Sequence, residues 1–71
     1  MAEQPTHHFI LTLQVPSPNG FAVCEFSNAI TPPAGWTRAQ LFKGLRDQIK
    51  QDHPEYRGAT TIFFSLERNQ L

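Results

Sequence analysis

Cys24 is the only cysteine in this sequence. A disulfide within the chain is therefore excluded, and a single thiol fits a reducing compartment better than an exported protein. Long hydrophobic runs are missing too, and nothing approaches the ~18 apolar residues of a membrane span. Met1 to Thr6 is polar and lacks the apolar centre of a signal peptide, and Ala2 is not the glycine that myristoylation requires. The expectation is a cytoplasmic protein with no membrane partner. Net charge is also lacking: six Lys and Arg balance six Asp and Glu. Nothing then draws the chain as a whole toward nucleic acid or anionic lipid, and a nucleic-acid role would need a local basic patch. The glycines, Gly20, Gly35, Gly44 and Gly58, are too scattered to form a loop that cradles phosphate.

Within these limits the composition is that of a folded protein. Seventy-one residues make a single domain, 1–71. A chain of this length buries only about 60% of the surface its unfolded form exposes, so it depends on good packing or on a partner. Six Phe, one Trp and one Tyr supply the material for a core and exclude a disordered chain. Residues 1–6 are expected to be a flexible terminus and 68–71 to fray.

The first strand is expected at His8 to Val15. Phe9, Leu11, Leu13 and Val15 alternate with His8, Ile10, Thr12 and Gln14, so one face is fully apolar and the other only at Ile10. Pro16-Ser17-Pro18-Asn19-Gly20 is dense in turn formers and reverses the chain. Phe21 to Ile30 reads as a second strand. Ala22, Cys24, Phe26 and Ile30 share one side, while Phe21 and Val23 lie opposite with Glu25 and Ser27. The Cys24 and Phe26 side is assigned to the core.

After Thr31-Pro32-Pro33-Ala34-Gly35 comes the clearest local signal. Thr37 with Gln40 three residues on is a capping box, and Trp36 with Leu41 has the spacing of a hydrophobic staple. Leu41, Phe42, Leu45 and Ile49 then form one apolar stripe. Pro54 ends the helix, which is expected to run from Thr37 to Asp52. Gly44 is costly inside a helix and suggests close approach of a neighbour. Arg57-Gly58 is a turn. A third strand follows at Ala59 to Glu67, with Ile62, Phe64 and Leu66 on one face and Thr61, Phe63 and Ser65 on the other.

The order β-β-α-β is that of a small α+β domain, a three-stranded sheet with one helix packed on one face. Sheet order 2-1-3 places the first strand centrally, in keeping with its apolar residues on both faces, and strands one and three are expected to be parallel. This element order resembles the first part of a β-grasp, the ubiquitin-type topology. The chain has no Gly-Gly pair of the kind that ends a conjugated modifier, and shared element order carries no activity with it.

The residues that do chemistry are spread out. Cys24 sits mid-strand among apolar neighbours, where a cysteine acts as a small hydrophobe. His7 and His8 are adjacent and would point to opposite strand faces, and His53 lies at the helix end beside Asp52. This is not a zinc spacing, and His53 suits the helix C-terminus as a cation. Glu25, Asp47, Asp52, Glu55 and Glu67 suggest no shared pocket. The expectations are therefore no catalytic residue, no metal, no cofactor and no small-molecule substrate.

Two surfaces remain. The sheet face away from the helix would carry Ile10, Phe21, Val23 and Phe63, an apolar patch suited to a protein partner or to a second copy in a homodimer. The alternative is a nucleic-acid-binding module that grips phosphates with a basic helix stripe, Lys43, Arg46 and Lys50, joined by Arg38.

Overall fold

A computed structural model describes residues 4–71 of the chain. The expectation of a flexible terminus falls in part on residues 1–3, which lie outside the described residues. The elements are β1 (His7–Ser17), β2 (Gly20–Ile30), α1 (Arg38–Asp52), a short 3-10 turn (Pro54–Tyr56) and β3 (Thr60–Arg68). The three strands form one sheet in the order β2-β1-β3, with α1 on one face.

β1 and β2 form a hairpin closed by Pro18-Asn19, with Ser17 opposite Gly20. Proline presets φ for the first turn position. Gly20 takes φ +133°, a backbone region that residues with a Cβ avoid. The turn thereby sets the register for the whole pair, and Leu11 faces Phe26 and Leu13 faces Cys24. The odd-numbered residues of β1 point toward the helix. Phe9, Leu11 and Leu13 are buried, joined by Ile49 of α1 and by Ala59, with Phe26, Phe42, Leu45, Phe64 and Leu66 packed around them. The Cys24 and Phe26 side of β2 is therefore the inner side, as its pattern indicates.

The helix starts where the local chemistry places it. The Gln40 N–H donates to Thr37 Oγ1 at 3.1 Å, and the Thr37 N–H donates to Gln40 Oε1 at 2.8 Å. Such a cap typically contributes about 1 kcal/mol. Trp36 lies across the helix at Gly44. A Cβ on Gly44 would come within 3.2 Å of the Trp36 ring, which accounts for a glycine inside a helix. Leu41 is buried, and it lines a shallow hollow together with Trp36.

Two expectations need correction. Strands one and three are antiparallel, not parallel: His7 faces both Ile30 and Arg68, while Gln14 faces Thr60. The reason lies in the helix. At ~1.5 Å per residue its 15 residues span about 22 Å, roughly two-thirds of the ~36 Å of an 11-residue strand, and the connectors at its two ends cover the rest. It carries the chain back to the end of the sheet where β2 began. β3 then runs in the direction of β2, against β1 between them, and the likeness to a β-grasp stops at the order of elements.

The second correction concerns Ile62. The pairing of β1 with β3 slips between Thr12 and Leu13, so Thr12 faces Phe63 but Leu13 faces Thr61. Ile62 is the extra residue of a β-bulge. The bulge interrupts the alternation, and Thr61 takes the place opposite Leu13 that strict alternation would give to Ile62. Ile62 is left 50% exposed.

Candidate functional site

The sheet face away from α1 is formed by the even-numbered residues of β1 and their partners. Ile10 lies between Ser27 and Ser65, Thr12 between Glu25 and Phe63, and Gln14 between Val23 and Thr60. Pro16 faces Phe21 at the hairpin end. All four residues expected on this surface are there. Phe21 is 68% exposed, Val23 60% and Phe63 53%, while Ile10 is half-buried. Phe63 is not directly opposite Ile10. It stands one pair further along, as a diagonal neighbour at a typical spacing of about 7–8 Å. Charge on this face comes from Glu25 and from Glu67, which faces His8. No Lys or Arg of the three strands shares it.

The basic residues of α1 lie on the other side, and three of the four are already engaged. The Arg38 guanidinium sits 4.8 Å over the Phe64 ring and donates to the Phe64 carbonyl at 3.4 Å. The Arg46 guanidinium sits 5.4 Å over Phe42. Phe42 and Phe64 are themselves in contact, with ring centroids 4.9 Å apart. Arg38, Phe64, Phe42 and Arg46 thus join the helix to β3. Lys43 pairs with Asp47 at 3.0 Å across one helical turn, an exposed pair of the kind worth at most a few tenths of a kcal/mol. Lys50 lies in the last turn, where a cation suits the helix dipole. Of the four residues read as a stripe, Arg38, Lys43 and Arg46 have separate partners and Lys50 has no side-chain partner among the described residues. A phosphate would have to compete with Asp47 for Lys43.

Cys24 has a partner that the sequence did not suggest. It is half-buried, and the side chain of the single tyrosine, Tyr56, is its neighbour. Interaction with the Cys24 side chain is the main reason the Tyr56 phenol is held above the ordinary tyrosine range. Desolvation and the charges of Cys24 and Glu55 add to the effect. Phe26 completes the group, with ring centroids 5.5 Å from Tyr56 and 5.9 Å from His53. Tyr56 was illegible beforehand because its place depends on the 3-10 turn, whose only sequence signal is Pro54 at its start. Among the described residues no three His, Cys, Asp or Glu side chains converge in a way that would hold a metal ion. Among the described residues no helix is long and apolar enough to cross a membrane.

No protein-family model, curated protein or solved structure matches this chain. The functional reading therefore rests on its own residues.

Proposed function

We propose that this is a small, non-enzymatic accessory or regulatory protein that acts through protein contact, with the uncovered sheet face as the contact surface. One observation carries the reading. Phe21, Val23 and Phe63 are more than half exposed on one face of a three-stranded sheet, and no described element covers them. Solvated apolar side chains grouped in this way are a standing source of binding energy. Burying one fully is worth roughly 1.5–3 kcal/mol before the costs of association. Glu25 and Ser65 border these residues, and Thr12 and Gln14 lie between them on the central strand, so that apolar and polar groups alternate across the face. Glu25 and Glu67 on this face favour a protein partner over a phosphate backbone. The lone thiol supports a reducing compartment, and we place the protein in the cytoplasm.

The test compares the native protein with Ile10→Ser/Phe63→Ser. The native protein should bind an apolar fluorescent dye while folded, or self-associate at micromolar concentration in sedimentation. The double variant should lose that property and keep its circular dichroism. A native protein that binds no dye and stays monomeric at millimolar concentration would overturn the reading. Unfolding of the double variant would show instead that Ile10 and Phe63 belong to the core.

A further inference from the structure

β2 is an edge strand, bonded to β1 on one side only. The Ala29 N–H donates to Asn28 Oδ1 at 2.8 Å, so it is turned away from β1. Backbone groups of an antiparallel strand alternate between its two sides. The N–H and C=O groups of Phe21, Val23, Glu25 and Ser27 therefore also point outward, and among the described residues no hydrogen bond satisfies those four N–H groups. Proteins normally blunt such an edge with Lys, Pro or a bulge. β2 has none of these, and Glu25 is its one charged residue: Gly20–Ile30 contains no Lys, Arg or Pro, and its register with β1 runs without a shift. The opposite edge, β3, carries both the bulge at Ile62 and the charged pair Glu67-Arg68.

The free stretch runs from Phe21 to Ser27, because Asn28 occupies the next outward donor, and its midpoint is Cys24. We propose that this edge pairs antiparallel with the same edge of a second copy about a two-fold axis at Cys24, joining two sheets into one of six strands. In this register Phe21 meets Ser27 of the second copy and Val23 meets its Glu25, each twice by symmetry, so every outward N–H faces an outward C=O. On the helix side Ala22 meets Phe26. Moving the axis to Glu25 would set two carboxylates directly opposite, which is destabilising. Moving it to Phe26 would set Val23 against Ala29, whose N–H is already taken. A second copy is the occupant because a two-fold contact uses one self-complementary patch twice. The inference rests on the protein-contact reading but locates the self-contact at the edge instead of the open face.

Charge placed at Val23 tests the register. Val23 is 60% exposed, so the variants should fold, as unchanged circular dichroism and denaturant midpoints would verify. Sedimentation at micromolar concentration should give a dimer for the native protein. Val23→Glu sets a carboxylate against Glu25 at two symmetric places and should weaken the dimer at least tenfold. Val23→Lys removes the same valine but supplies opposite charge, and should retain the dimer. Val23→Glu/Glu25→Lys should restore it. A native protein monomeric at millimolar concentration overturns the inference. So does equal weakening by Val23→Glu and Val23→Lys, a result that would leave the open face standing as an apolar contact. A dimer that follows the charge pattern yet ignores Ile10→Ser/Phe63→Ser supports the edge and removes the open face from self-association.

Discussion

The two flanks of the central strand solve the same packing problem with different chemistry. Leu11 faces Phe26 on one side and Phe64 on the other. On the β3 side, Phe64 packs against Phe42 and the two rings are covered by Arg38 and Arg46. On the β2 side, Phe26 meets Tyr56 edge-on, and Tyr56 neighbours Cys24 without any cation. The β3 flank is also bulged and the β2 flank is straight. One flank is closed by charge and irregularity, whereas the other ends in a regular strand with free backbone groups. The difference teaches that basic residues on a helix need not face a ligand. Here two of them finish a half-buried aromatic seam.

The comparison is broken most completely at its centre. Leu11→Ala removes a fully buried side chain that lies between both phenylalanines, and should cost about 2–5 kcal/mol by lost burial and cavity formation. Urea denaturation would measure it. A loss below 1 kcal/mol would mean that the two flanks stand independently.

A smaller change should touch the β3 flank alone. Arg38→Met keeps much of the aliphatic stem but removes the cation over Phe64 and the donor to its carbonyl. The expected loss is about 0.5–1 kcal/mol, the usual size of an exposed cation–π contact. The titration of Tyr56, on the other flank, should not change. A variant as stable as the native protein would show that ring–ring packing closes this flank without the charge.

The subtlest change sharpens the β2 flank. Tyr56 is the only tyrosine, so tyrosinate absorbance reports it alone. Cys24→Ala removes the neighbour that does most to raise its pKa, and the titration midpoint should fall toward the ordinary tyrosine value. The folded state holds this proton more tightly than the unfolded chain does. The contact therefore adds to stability below the unfolded tyrosine pKa, and its contribution is lost as pH rises through the folded value. An unmoved midpoint in Cys24→Ala would remove the thiol–phenol contact from this account.

What the sequence determined by itself was local. The turn at Pro18-Asn19-Gly20, the cap at Thr37 and Gln40, the close approach at Gly44 and the inner face of β1 all follow from interactions spanning a few residues or from a simple alternation. The placement of Ile10, Phe21, Val23 and Phe63 on one face follows from the same alternation, with strand order 2-1-3. Tertiary structure decided the rest, because the rest depends on how separate elements meet. The direction of β3 is set by the end of the sheet to which the helix and its connectors deliver the chain. The exposure of Ile62 arises from a bulge whose extra residue can be placed only once Leu13 has chosen Thr61. Arg38 and Arg46 left the basic stripe for the rings because Phe42 and Phe64 meet beneath them, and Tyr56 reached Phe26 only when the chain folded back over β2. Each of these outcomes turns on a distance between residues far apart in the chain, which neither composition nor periodicity encodes.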